Sequence, residues 1–205
     1  LQNEAVLNTL TLDVIKSSEI EGEFLDIEQV RTSIARRQGI DIAAAVESER
    51  HVDGIVEMML DATQRYDLPL TKDRLFGWHA ALFPSGWSNL HKITVADWRK
   101  DTTGPMQVVS GPIGNEKVHY QAPSSERIEP EMKKFLDWFE NEHETDLVLK
   151  AAIAHLWFVT IHPFDDGNGR VTRAITDMTL ARSDKSIRRF YSMSAQIRVE
   201  RKQYY

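Results

Sequence analysis

Apolar residues recur every three or four positions through most of this chain. Leu7, Leu10, Val14 and Ile15 form one series, and Val52, Ile55, Val56, Met59 and Leu60 another, so both stretches predict amphipathic helices. Asp26 followed by Gln29 has capping-box spacing for a helix bearing Ile27, Val30 and Ile34, and Gly39 suits its end. Thr71 can cap a segment carrying Leu75, His79 and Leu82, which Pro84 and Gly86 terminate. Pro130 suits the first turn of a helix whose apolar face is Met132, Phe135, Leu136 and Phe139. Asp146 opens the next, with Leu147, Ala151, His155 and Phe158 aligned. One region breaks the rhythm. Met106 and Val108, then Val118 and Tyr120, alternate on either side of a turn at Gly111 to Asn115, which predicts a short hairpin. The chain reads as a mainly α domain with one β-hairpin flap.

Composition then narrows the partners. Of 205 residues, 25 are Lys or Arg and 31 are Asp or Glu, a net charge of −6. Such a chain lacks the positive field of a dedicated nucleic-acid binder, so no nucleic acid is expected as primary ligand. The absence of cysteine excludes disulfide scaffolds, thiolate metal sites and cysteine nucleophiles, and it suits a cytoplasmic location. The longest apolar run, Ala151 to Phe164, falls short of the roughly 20 residues of a membrane helix, so no membrane partner is expected. The chain begins without Met and stops at Tyr204-Tyr205 within a helical pattern, which reads as a piece of a longer protein with a truncated C-terminal end.

The chemistry concentrates in His162-Pro-Phe-Asp-Asp-Gly-Asn-Gly-Arg170 and the following Val-Thr-Arg173. A helix ending near Ile161 and another starting near Arg170 leave a Gly-Asn-Gly turn between them. Its backbone N–H groups can converge into a nest at a helix N-terminus, an anion site. Arg170 and Arg173, three apart, can face one mouth and grip phosphate oxygens. Asp166 supplies a hard oxygen ligand of the kind Mg²⁺ takes alongside phosphates. His162 has the chemistry of a general base at neutral pH. These parts suit phosphoryl or nucleotidyl transfer, where catalysis is mostly positioning and charge neutralisation.

The same run, completed by Arg173, resembles the signature of Fic-domain proteins, and the resemblance covers roughly residues 46–205. It implies a helical Fic fold with a flap beside the active site, and transfer of AMP from ATP to a protein hydroxyl with release of pyrophosphate. By that resemblance His162 deprotonates the target Ser, Thr or Tyr, and Phe164 anchors the loop in the core. Asp166 holds Mg²⁺ against the α- and β-phosphates, and Gly167, Asn168 and Gly169 form the anion cradle. Arg170 takes the β-phosphate and Arg173 the γ-phosphate. The flap, Gln107 to Tyr120, docks a segment of the target protein by strand addition, with Lys117, Val118, His119 and Tyr120 nearest the nucleotide. The tyrosine pair that follows the signature in similar proteins suggests Tyr205 against adenine. A homodimer is compatible with the family.

Residues 1–45 form an N-terminal region with a second resemblance. Ser17-Ser-Glu-Ile-Glu21-Gly22 is similar to the inhibitory motif of the Fic subclass with an N-terminal inhibitory helix. A pair between Glu21 and Arg173 would take the guanidinium from the γ-phosphate. Two alternatives remain: a deAMPylase or bifunctional enzyme using Glu21, and a non-catalytic ATP-sensing regulatory module. Simpler readings stand beside these. Ser18 and Glu21 also have capping-box spacing. His155 reads as a packed histidine rather than a metal ligand. Trp138, Phe139, Trp157 and Phe158 read as core and neighbouring surface, His119 reads either as a nucleotide contact or as pointing to water, and the Arg36-Arg37 and Arg188-Arg189 pairs read as solvated or helix-end charges.

Overall fold

The structure, a computed structural model, describes residues 2–43, 45–102, 104–112 and 115–204. Among them the helices are α1 (Gln2–Ile20), α2 (Ile27–Gln38), α3 (Arg50–Gln64), α4 (Lys72–Leu82), α5 (Ser125–Asn141), α6 (Leu147–Ile161), α7 (Asn168–Asp184), α8 (Met193–Val199) and the single turn α9 (Arg201–Tyr204). Local chemistry starts and stops several of them. Asp26 accepts the Gln29 N–H at 2.9 Å, and Gly39 closes α2 at φ 64°. Thr71 accepts the Arg74 N–H at 3.1 Å, and Asp146 accepts those of Val148 and Leu149 at 2.9 and 3.3 Å.

Helix α7 is the centre of the molecule. It packs on α6 and α3, while α1 packs on α2 and α8. Val171, Ala174, Ile175 and Met178 of α7 are fully buried, in one core with Leu7, Ile34, Ile55, Phe135, Phe158 and Phe164. Burying each large side chain of this kind contributes about 1.5–3 kcal/mol. The signature's arginines therefore ride on the most enclosed helix of the fold.

Two antiparallel hairpins complete it: β1 (Trp87–Ser88) with β2 (His91–Lys92), and β3 (Gln107–Ser110) with β4 (Lys117–Gln121). Val108 faces Tyr120 but Val109 faces Val118, so the register slips by one residue at His119. The Tyr120 hydroxyl donates to the Thr160 carbonyl at 2.7 Å, which docks the flap against the end of α6.

Four expectations need correction. Pro130 lies inside α5 rather than in its first turn, because Ile128 is fully buried and the Ser125 N–H is held by Asp101 at 2.7 Å. The β1–β2 hairpin lies in a stretch whose two-residue strands are too short to show alternation. The Gly-Asn-Gly turn is shorter than expected, since α7 starts at Asn168. Arg189 is 2% exposed, with its guanidinium 2.7 Å from Asp177 and 3.9 Å from Asp13, so that arginine is a core residue. Arg36 and Arg37 end α2 as expected and both pair with Asp53. Among the described residues no helix is long and apolar enough to cross a membrane.

Candidate active site

Helix α6 ends at Ile161, and His162 caps it in the left-handed conformation, φ 52° and ψ 59°. This turn throws the chain into the loop 162–167. Phe164 fixes the loop from below: it is fully buried and stacks on the His79 ring with centroids 4.2 Å apart. The Asn168 side chain bonds both the N–H and the carbonyl of Phe164, at 3.0 and 2.8 Å. His79 grips the same loop from α4. The Ala96 N–H donates to its Nδ1 at 3.2 Å, so its Nε2 carries the proton and donates to the Asp166 carbonyl at 3.1 Å.

Gly167 makes the turn into α7 feasible, and Gly169 leaves room for side chains at the helix mouth. Gly167 has φ 81°, and a Cβ there would come within 2.8 Å of the Phe83 ring. A Cβ on Gly169 would sit 2.2 Å from Glu21 Oε1 and 3.1 Å from Arg173 Nη1. The N-terminus of α7 carries no side-chain cap, so its leading N–H groups are left for an anion. The Asp166 carboxylate accepts the Gly167 N–H at 2.6 Å and the Ser88 hydroxyl from the β1–β2 hairpin.

His162 lies at the other side of the loop. Its Nδ1 meets the Val159 carbonyl at 3.3 Å, which leaves Nε2 for a substrate proton. Burial pushes its pKa below the ordinary histidine value; the Val159 hydrogen bond opposes this and the nearby Arg99 charge reinforces it. The ring is therefore neutral at neutral pH, as a base requires.

Both arginines are held by the last turn of α1 and the linker that follows it. Arg173, 2% exposed, donates through Nη2 to Glu21 at 2.7 Å and to the Ser17 carbonyl at 2.9 Å, and through Nε to the Ser17 hydroxyl at 2.8 Å. Gly22 carries the chain away at φ 80°. Ser18 is buried in the last turn of α1, so this stretch ends a helix and the capping-box reading does not hold. Arg170 donates through Nη1 to Glu23 at 2.8 Å and lies over the Phe83 ring, while its Nε is buried without a partner. Glu23 also pairs with His51. Burial disfavours the charged form of Glu23, but His51 and Arg170 outweigh it and hold the carboxyl below its usual value.

Sequence reasoning thus brought together Ser17, Glu21, Asp166, Gly167, Gly169, Arg170 and Arg173, but missed Glu23, Ser88, His79 and Arg99. Glu23 stands two residues after Glu21, and its charge beside the motif was the available signal. In the flap, Lys117, Val118, His119 and Tyr120 all lie on β4; His119 meets the Ser110 hydroxyl across the strands at 2.6 Å. Tyr205 lies outside the described residues. Its neighbour Tyr204 meets His155 at 2.5 Å, and His155, pushed down to about 4 by burial, also meets Thr176 at 2.9 Å.

Comparison with known proteins fits this geometry. The Fic/DOC family model matches residues 69–180, more than half of the chain. The chain belongs to the Fic/DOC family. Residues 1–40 match a domain of unknown function (DUF4172). The chain is 39% identical over 81 residues to the protein adenylyltransferase fic-1 of Caenorhabditis elegans, covering 37% of this chain and 16% of that protein. It is 31% identical over 122 residues to a uridine 5'-monophosphate transferase of Xanthomonas campestris pv. campestris, covering 56% and 21%. The chain therefore corresponds to a minor part of those relatives' length. A crystal structure of a Fic family protein from Desulfovibrio desulfuricans G20 has the same mainly helical Fic fold, with TM-score 0.66, 22% identity, and coverage of 97% of this chain and 55% of that one.

Proposed function

We propose that this Fic protein is a protein adenylyltransferase restrained by its own Glu21. The observation that carries the reading is an internal anion in the phosphate cradle: the Glu21 carboxylate lies against Gly169 and 2.7 Å from Arg173. A site that seats a carboxylate there, with the Arg170 Nε buried and unpartnered beside it, has the donors for a nucleoside triphosphate. Mg²⁺ binds through one or two carboxylates plus phosphates, and the Asp166 carboxylate, held at the start of α7 by the Gly167 N–H and the Ser88 hydroxyl, would hold it. When bound, it supplies neutralisation of the polyphosphate charge.

The chain's own residues do the rest. A target hydroxyl oxygen attacks the α-phosphorus while His162 takes its proton. The bond from that phosphorus to the bridging oxygen breaks, and pyrophosphate leaves, its charge held by Arg170 and Arg173. The exposed flap valines, Val108, Val109 and Val118, suit a target segment added along the hairpin. With Glu21 on Arg173, the γ-phosphate loses its partner and meets a like charge. A charge-assisted pair of about 1.5–3 kcal/mol lowers productive binding by about one to two decades.

The match to the Xanthomonas enzyme supports a second reading, UMP transfer from UTP. The test is label transfer from α-labelled ATP and UTP by wild type, Glu21→Gly, and Glu21→Gly/His162→Ala. Label from ATP that appears with Glu21→Gly and vanishes in the double variant is expected. Label from UTP alone would make it a uridylyltransferase. No label in any variant, with nucleotide binding intact, would overturn the transferase reading and leave AMP removal or regulated binding.

A further inference from the structure

Arg99 lies between β2 and β3, is 4% exposed, and touches none of the phosphate-side groups described above. Its guanidinium is spent on the chain that carries the base. Nε donates to the carbonyl of His162 at 2.8 Å, and the Arg99 backbone N–H donates to the carbonyl of Pro163 at 2.9 Å. Nη2 donates to the carbonyl of Pro123 at 2.5 Å, just past the end of β4. Nη1 pairs with Asp101, whose other oxygen takes the Ser125 N–H at the start of α5. One buried side chain thus joins the peptide after the base to the root of the flap.

We infer that Arg99 is a positioning residue that sets the separation between His162 and a hydroxyl presented on the flap. The inference rests on His162 being the base. His162 occupies a left-handed backbone conformation that a non-glycine residue adopts at a cost and keeps only where its surroundings enforce it. The two bonds from Arg99 to the 162 and 163 carbonyls supply that enforcement, and the Pro123 bond ties the flap to the same frame. A hub of this kind affects the chemical step and leaves nucleotide affinity alone, since Arg170, Arg173 and Asp166 are held by Glu23, Ser17 and Ser88 instead.

The test compares Arg99→Gln, Arg99→Lys and Asp101→Asn, each in the Glu21→Gly protein. Isothermal titration with ATP and Mg²⁺ and steady-state transfer are measured together. For Arg99→Gln, kcat is expected to fall about 10- to 100-fold, as misplacement of a reacting group by about 1 Å does, with ATP affinity unchanged within about twofold. Arg99→Lys retains a charged donor and recovers part of the rate. Asp101→Asn keeps Arg99 and gives a smaller loss, which preserves the test if Arg99→Gln does not fold. Unchanged kcat in Arg99→Gln, or equal losses of rate and ATP affinity, would overturn the proposal. A second readout separates this from the transferase reading: amide hydrogen exchange at residues 120–122 and the His162 ring resonances. Both should change in Arg99→Gln even if no transfer is found, and constancy of both would overturn the coupling.

Discussion

Glu21 and Glu23 hold different arginines, so their removal should have separable effects. Glu21→Gly takes the carboxylate off Arg173, which keeps its two bonds to Ser17, and should raise transfer by about one to two decades, the equivalent of one charge-assisted pair. Glu23 then still places a carboxylate on Arg170, beside the path of the polyphosphate. Adding Glu23→Gln should tighten ATP binding a further about 3- to 10-fold, as loss of a like charge near a partly buried anion does; titration calorimetry on the two proteins measures it. An unchanged Kd would mean that Glu23 orients Arg170 without competing. The pH profile is also set at residue scale. Burial lowers the His162 pKa, so its neutral, basic form persists as pH falls through the ordinary histidine value of about 6.5 and is lost only below the depressed pKa. The acid limb of log kcat against pH in the Glu21→Gly protein should lie under that value. A limb above it would contradict the buried geometry.

Helix α1 is tied to α7 in two rungs. Ser17 and Glu21 hold Arg173 at one level, and one turn away Arg189 lies between Asp13 and Asp177. Asp177 is fully buried; burial and the neighbouring Asp13 raise its pKa well above the usual carboxylate value, while Arg189 opposes this. Arg189→Met would leave two carboxylates in the core without their cation. It should cost about 3–5 kcal/mol, the loss typical of breaking one side of a buried pair, and urea unfolding measures it. This rung also marks a limit of reading along the chain. Caps such as Asp26, Thr71 and Asp146 act within four residues, so their elements were visible in the sequence. The partners of Arg189 lie on two other helices, and nothing near Arg188-Arg189 distinguishes a core guanidinium from a solvated one. The candidate site was legible to the extent that its motif is contiguous. His79, Ser88 and Arg99 reach it from distant segments, through backbone carbonyls or a single hydroxyl that leave no spacing to recognise.

At the scale of the whole molecule, the helix that leads to Glu21 is also core. Leu7, Leu10 and Val14 of α1 are at most 3% exposed, in one cluster with α3 and α7 residues such as Ile55 and Ile175. Deleting residues 1–20 should therefore give a protein with a broadened or missing thermal transition, whereas Glu21→Gly should melt cooperatively; differential scanning calorimetry distinguishes them. A deletion that folds well and transfers freely would instead make α1 a removable cap. If the deletion fails to fold, the proposed restraint is relieved in the intact protein by a movement of the short linker that starts at Glu21, with α1 staying docked.

Under the restraint proposed above, that linker makes Glu21 a competitor that travels with its enzyme. A group tethered this closely acts at an effective concentration of about millimolar or more, independent of how dilute the protein becomes. If Glu21 restrains the site in this way, dilution, low expression or dialysis will not relieve the restraint. It yields to a ligand with a firmer hold on Arg173 or to a partner that draws the linker aside, so a screen for activators should vary what pulls on residues 21–26 rather than how much protein is present.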